Sequence, residues 1–426
     1  WTVGCQMNEA DSERLASALD QLGCTPSPRI DDADIIVLNS CVVRQGVEAK
    51  VAGRLDSLKS LKKARPGRVI TLMGCMVGPE PDGLKSRFPH VDLLMRPQVY
   101  NPLLNLVAQR QGVCLDNVGP LIPSHPKVST RIPIIHGCDK FCTFCIIPYR
   151  RGRERSRPVE ELTAEVRALA LRGVKEVTLL GQNVDSYGHD LPDRPDLADL
   201  LTELTKIEGI QRIRFLTSHP NDMSQKLIDA VAELDKVCEH INLPVQAGDD
   251  EILRIMRRGY TTHHYRELVA RIRATIPDVS MSTDLIVGFA DETEEQFQRT
   301  VDLLEEIRFD KVHVAPYSVR PGTIAYRKIP DDLDHDEKMR RLHVIEELQA
   351  RIAGEINSDL AGTTQQVLVE GRRKGKWQGR TPANKLVFFS DDGDWQGQMV
   401  DVKIEHTTAW SLRGSLAEVY AGSAAG

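Results

Sequence analysis

The chain has 426 residues, 41% of them hydrophobic and 27% charged, with a formal net charge of −6 and nine cysteines. That balance supports two or three folded domains and excludes long disorder. It also excludes a polycation that coats nucleic acid, so any RNA contact has to come from local basic patches.

No secretory leader or membrane-length apolar run is recognisable. One of the most apolar stretches, residues 35–43, is far short of the ~20 residues a spanning helix needs. A cytoplasmic protein is expected, and in that reducing setting an odd number of cysteines points to metal or catalytic sulfur rather than disulfides. The chain opens on Trp1 with no initiator Met, so its natural start is expected upstream.

From residue 1 to about 110, apolar runs at 1–4, 35–39, 69–73 and 91–95 alternate with amphipathic stretches at 11–22 and 47–63. Such alternation predicts a parallel sheet with helices on its faces. Residues 116–127, rich in Pro, Gly and Ser, read as a linker between a first domain (1–115) and a second (128–358). The second region predicts six strands, at 132–135, 177–180, 213–216, 241–245, 281–287 and 312–317. Five helices fit between them, at 159–172, 197–208, 224–234, 265–275 and 294–307. Six βα units are too few for the eight-fold barrel, so an incomplete (βα)6 barrel is expected, active at the C-terminal ends of its strands. A helix over 336–360 leads to a final region, 359–421, whose strands at 366–370, 386–389 and 399–404 suggest a small all-β barrel. The fold class is α/β throughout, with that barrel appended.

The densest chemical signal is Gly137-Cys138-Asp139-Lys140-Phe141-Cys142-Thr143-Phe144-Cys145, just after the first strand of the second region. A loop this short can wrap three thiolates around one centre. Three protein ligands on a four-iron cluster leave one iron open for a substrate or cofactor. Structural zinc, with His136 as a fourth ligand, and a Cys-x-x-Cys redox pair are the competing readings. A second set, Cys5, Cys41 and Cys75, is dispersed in sequence, yet each member falls at the C-terminal end of a predicted strand. Parallel strands bring such ends to one edge, so the three can share a site; three buried core thiols are the alternative. Cys24, Cys114 and Cys238 lack that placement.

The first motif, Cys-x3-Cys-x-aromatic-Cys with Phe144 as the aromatic, resembles the radical S-adenosylmethionine (SAM) superfamily. Gly4-Cys5-Gln6-Met7-Asn8, Asn39-Ser40-Cys41-Val42-Val43-Arg44 and Gly74-Cys75 resemble the N-terminal domain of its methylthiotransferases. The stretches 180–188, 243–248 and 256–261 are similar to the bacterial members that act on N6-isopentenyladenosine beside the anticodon of tRNA. The final region resembles the RNA-binding TRAM domain. The sequence departs from the family at Val77-Gly78, where Ala-Gln is usual, and at Ala290-Asp291, where Pro-Gly is usual.

The resemblance implies two 4Fe-4S clusters, one on Cys138, Cys142 and Cys145 and one on Cys5, Cys41 and Cys75. It implies SAM as radical source and methyl donor, the first cluster cleaving SAM and the second delivering sulfur to C2 of the adenine ring. It places the SAM amino group near Gly181, Gln182 and Asn183. Gln246, Ser282 and Asp284 are candidates for its methionyl or ribose groups, although plain strand-end turns would use the same residues. Two basic runs are candidates for tRNA: Arg150, Arg151, Arg153, Arg155 and Arg157 after the cysteine loop, and Arg372, Arg373, Lys374, Lys376, Trp377 and Arg380 in the last region. There an aromatic among cations suits stacking on unpaired bases. Solvated or ion-paired loops are the alternative for both runs. The implied partners are tRNA and an electron donor such as flavodoxin or ferredoxin, and a monomer is expected. Rival readings are a methylthiotransferase acting on threonylcarbamoyladenosine or a ribosomal-protein aspartate, and a zinc-stabilised RNA-binding protein.

Overall fold

A computed structural model describes residues 1–42, 45–115, 119–123 and 126–417. Val43 and Arg44 of the second cysteine motif, parts of the expected linker (116–118 and 124–125) and residues 418–421 lie outside the described residues. Among the described residues no helix is long and apolar enough to cross a membrane.

The N-terminal unit is a four-stranded parallel sheet in sequential order: β1 (Thr2–Val3), β2 (Ile35–Ser40), β3 (Val69–Gly74) and β4 (Leu93–Met95). The period-2 alternation of the strands sorts their side chains onto two faces. Ile36, Leu38, Ile70 and Leu72 pack against Val51, Leu55 and Leu58 of the helix Gln45–Ala64. Val69 and Met73 face Leu15 of the helix Gln6–Gln21 and Leu103 of the helix Asn101–Gln111. With both faces covered, β3 is buried at every position, which is why it reads as an unbroken apolar run.

The second unit has its six parallel strands in two linked halves. One half is β5 (Ser129–Pro133), β8 (Glu176–Leu180) and β9 (Arg212–Leu216); the other is β10 (His240–Asn242), β11 (Ser280–Val287) and β12 (Lys311–Pro316). A parallel bridge between Ile213 and Val237 joins them. The expected first strand is split. It stops at Pro133, and β6 (Ile135–His136) turns to pair antiparallel with β7 (Arg155–Ser156). That pair closes the base of the cysteine loop. The helix His335–Ser358, capped by Asp334 accepting from the N–H groups of Asp336 and Glu337, then leads to the last unit.

That unit is a closed barrel of five strands, not the three expected: β13 (Thr364–Arg373), β14 (Lys376–Arg380), β15 (Leu386–Phe389), β16 (Met399–Thr407) and β17 (Leu412–Leu416). The two missed strands carry too few apolar residues to stand out. In Lys376–Arg380 only Trp377 enters the barrel core. The barrel docks on the second unit through Arg212 and Arg214 of β9. Their guanidinium groups donate to the backbone oxygens of Arg380 and Gln366, and of Thr381 and Pro382.

Candidate active site: two cysteine triads at a domain seam

Gly137 lets the chain turn beneath the β6–β7 pair. Its φ is 72°, and a Cβ there would sit 2.1 Å from the Arg153 carbonyl oxygen. The loop is then tied to the barrel mouth. Thr143 donates its N–H to Met256 O (3.0 Å) and its hydroxyl to Ile255 O (2.9 Å), and its own carbonyl accepts from Ala325 N (2.8 Å). Phe144 packs edge-on against Phe289, which meets Tyr317 in turn. Cys138 and Cys142 are buried, and Cys145 is half-exposed as a residue while its thiol is enclosed. Burial pushes the Cys138 thiol up to about 11 and the Cys145 thiol up to about 12. Thiols so desolvated become thiolates when a metal centre supplies the positive charge. The Arg258 guanidinium donates to Cys142 Sγ at 3.3 Å. Soft sulfur donors beside a buried cation fit an anionic iron–sulfur cluster. One ring nitrogen of His136 is taken up by Gln98 of the N-terminal unit, and burial lowers the ring to about 3.

The second triad is assembled by strand register. Val3 pairs with Ser40 and Ser40 with Gly74, so Cys5, Cys41 and Cys75 emerge just past the ends of three adjacent strands. Gly74 permits the approach: at φ 102°, a Cβ would lie 2.4 Å from both Asn39 Oδ1 and Ser40 O. Asn8 and Asn39 brace the edge, Asn8 Nδ2 donating to Asn39 Oδ1 (2.9 Å) and Asn39 Nδ2 to Asn8 O (2.7 Å). Cys41 and Cys75 are buried while Cys5 is exposed, its thiol donating to Asn8 Oδ1 at 3.1 Å. A hydrogen bond with Cys41 draws the Cys5 thiol down to about 6, whereas burial raises Cys75. Arg151, its side chain 1% exposed, reaches in from the second unit to pair with Asp11 at 3.0 Å. Its Nε and Nη1 have no hydrogen-bond partner among the described residues. A buried guanidinium with spare donors beside three thiols suits a thiolate-ligated, anionic group. Ile146, directly after Cys145, packs against Cys75 and Val42, so the two triads adjoin across the seam. Among the described residues no three His, Cys, Asp or Glu side chains are close enough to hold one single metal ion, so the fit of each triad to the wider four-iron core rests on its donor chemistry and its buried cation.

The other expected cofactor residues separate into two groups. Gly181, Gln182 and Asn183 follow β8, and a Cβ on Gly181 would press on Ile135 at 2.5 Å. Asn183 Nδ2 donates to Asp222 (2.6 Å), which pairs with Lys140 of the cysteine loop, while Asn183 Oδ1 is buried with no partner among the described residues. Gln246, at φ 71°, bridges to Leu285 beyond the end of β10. Asn242 Nδ2 donates to both Ser282 Oγ and Asp284 Oδ2 at 3.2 Å, and burial raises Asp284. Ser282 is level with Asn242 at the C-terminal end of β10, its hydroxyl also 3.4 Å from His240 Nε2. Arg258 escaped the sequence reading as a site residue. Its segment, 256–261, stood out only as a family likeness.

The basic runs do not form two continuous RNA surfaces. Arg151 is enclosed between Asp11 and the second triad. Arg157 is buried against Glu161 and Glu165 and donates to Pro133 O. Arg150 leans over Gly78, where a Cβ would meet its Nη1 at 2.0 Å, and lines a cavity of about 590 Å³ with Glu48, Met76 and Arg87. Arg153 is exposed, paired with Asp139 and set over Phe141; Arg155 is exposed. In the last unit Trp377 is a correction: it is 4% exposed, a core residue of the barrel, with Arg372 over its ring at 4.2 Å. It has no free face for a base. Arg380 is half-buried and paired with Glu370. Arg372, Arg373, Lys374 and Lys376 remain on the surface, at the β13–β14 turn.

A partial parallel barrel with a three-cysteine loop after its first strand defines a radical SAM enzyme, and residues 132–304 match the Radical SAM superfamily. Residues 1–96 match the uncharacterised protein family UPF0004, and 360–417 the TRAM domain. The chain is 52% identical over 425 residues to the tRNA-2-methylthio-N(6)-dimethylallyladenosine synthase of Roseiflexus sp. strain RS-1, covering 98% of this chain and 89% of that one. It is 50% identical to the Dehalococcoides mccartyi strain CBDB1 protein of the same name, covering 98% of both. The chain belongs to this family of radical SAM methylthiotransferases. Among solved structures, the radical SAM methyltransferase TsrM from Kitasatospora setae shares the fold, with a TM-score of 0.53 over 84% of this chain and 71% of that one at 13% identity.

Proposed function

We propose that this enzyme installs a methylthio group at C2 of N6-isopentenyladenosine next to the anticodon of tRNA. Near-full-length identity of about half to synthases named for that product carries the reading. An aryl C–H is too weakly acidic for a protein base to remove, and accordingly the hard step falls to cofactors. Cys138, Cys142 and Cys145 would hold a 4Fe-4S cluster that would supply the electron for SAM cleavage, and Cys5, Cys41 and Cys75 would hold a second that would supply sulfur. The chain's own residues bind and orient. Asn183 Oδ1, buried and unpartnered among the described residues, is an acceptor suited to the ammonium of SAM, with Asp222 and Lys140 fixing its side chain. Phe144, Phe289 and Tyr317 wall the mouth against water. The contact of Ile146 with Cys75 ties the two triads to each other across the seam. Arg372, Arg373, Lys374 and Lys376 grip tRNA phosphates. The electron donor is a redox protein such as flavodoxin or ferredoxin, and the enzyme works as a cytoplasmic monomer.

The test is nucleoside mass spectrometry of tRNA from a strain lacking the gene, together with iron and sulfide analysis of anaerobic protein. Loss of the methylthio-isopentenyl nucleoside is the expected result. Its persistence, or a colourless protein that holds zinc and no iron after reconstitution, overturns the reading.

A further inference from the structure

Arg258 is 6% exposed and lies 116 residues along the chain from Cys142. Its Nη1 donates to Cys142 Sγ (3.3 Å), its Nη2 to Pro244 O (3.1 Å) and its Nε to the Tyr260 hydroxyl (3.0 Å). Tyr260 in turn donates to Val245 O (2.8 Å), and His219 packs edge-on against its ring. Among the described residues no carboxylate pairs with Arg258, whereas three other buried arginines of this barrel have one: Arg214 with Glu176, Arg341 with Glu292, Arg157 with Glu165. A buried guanidinium with no counter-charge is strongly disfavoured. The one group in contact with Arg258 that becomes anionic as a cluster ligand is Cys142.

We propose that Arg258 is the built-in counter-charge of the radical-generating cluster, raising its reduction potential through an N–H···S bond to Cys142. The inference rests on the first triad carrying that cluster. A four-iron core on three thiolates is net negative and gains one further negative unit on reduction. A fixed cation hydrogen-bonded to a ligand sulfur therefore favours the reduced form, the one that donates to SAM. Tyr260 and the strand-end carbonyls of Pro244 and Val245 hold the guanidinium plane in place. Arg258 is thus a positioning residue acting through Cys142, and no comparable donor from it reaches the second triad.

The experiment is an EPR-monitored redox titration of the full chain, reconstituted anaerobically, with and without Cys5, Cys41 and Cys75 replaced by Ala. Arg258→Met is expected to make reduction of the first cluster at least tenfold less favourable, a midpoint 59 mV lower for one electron, while Arg258→Lys recovers part of the shift. A loaded Arg258→Met protein with the parent's midpoint overturns the proposal. If Arg258→Met holds no iron, Arg258→Gln takes its place in the same titration and is judged by the same criterion. Iron lost from both neutral variants but kept by Arg258→Lys supports the counter-charge. Iron lost from all three makes Arg258 a packing residue and overturns it. Absence of any 4Fe-4S signal in the parent chain would instead refute the cluster reading itself.

Discussion

Replacing Arg214 with Met isolates the docking of the terminal barrel. Arg214 is 4% exposed and bonds three ways: Nε to Glu176 Oε2 (3.0 Å), Nη1 to Pro382 O (2.6 Å) and Nη2 to Thr381 O (2.5 Å). Met retains the stem but removes every donor. Glu176, 2% exposed, is then left with Ser129 Oγ as its side-chain donor, at 2.9 Å. A buried carboxylate stripped of its partner costs about 3–5 kcal/mol, and each carbonyl left unpaired adds ~1–3 kcal/mol unless water reaches it. With water entering the opened seam, the net is about 4 kcal/mol, roughly a thousandfold in the docking equilibrium. Three of the four tryptophans, Trp377, Trp395 and Trp410, are in the last region, so urea titration followed by tryptophan fluorescence reads the barrel. Arg214→Met should lower the first transition and weaken tRNA binding, yet leave SAM cleavage at the distant cysteine loop intact. Adding Glu176→Gln should restore most of the loss, because removing both charges of a buried pair is close to neutral. If the double variant is as destabilised as the single one, the lone carboxylate is not the cause and the reasoning fails.

Replacing Cys5, Cys41 and Cys75 together with Ala should halve the iron of reconstituted protein while SAM cleavage persists; unchanged iron would make them core thiols only. Replacing Arg373, Lys374 and Lys376 with Ala should weaken tRNA binding and reduce its salt dependence by roughly 0.7–0.9 log units per log salt for each phosphate that is no longer neutralised, as filter binding across a salt series would reveal. Trp377→Ala acts differently, emptying the barrel core at about 3–5 kcal/mol, so thermal melts should show an unfolded barrel rather than a folded one that binds poorly. Burial raises Asp185 to about 7. Its carboxyl accepts from Ser218 Oγ and His219 N at 2.9 Å. The native state keeps a proton that the unfolded chain loses above about pH 4, so stability should fall by a few kcal/mol between about pH 4 and 7 and level off above. Asp185→Asn should flatten that fall in urea melts across the range, and an unaltered pH profile would count against it.

The first cysteine triad could be read from the chain because its members share one short loop, where spacing alone enforces proximity. The second needed one further step, the rule that parallel strands end at a common edge, and the register Val3–Ser40–Gly74 is what places its members side by side. The alternation of apolar runs with amphipathic stretches likewise made the α/β architecture legible, since burying β3 on both faces demands an unbroken apolar run. What the chain left open was which side of each polar residue would meet protein rather than water. Arg151 and Arg157 read as a surface run beside Arg153, yet the helix Gln6–Gln21 and the glutamates of the helix Val159–Leu171 close over them. Trp377 read as a stacking platform among cations, but strand alternation turns it into the barrel while its charged neighbours stay outside. Arg258 meets Cys142 because the end of the helix Asp250–Ile255 folds back over the cysteine loop. Local spacing determines which groups can converge, whereas the exposure and charge partner of a long side chain depend on elements a hundred residues away, and tertiary packing alone decides them.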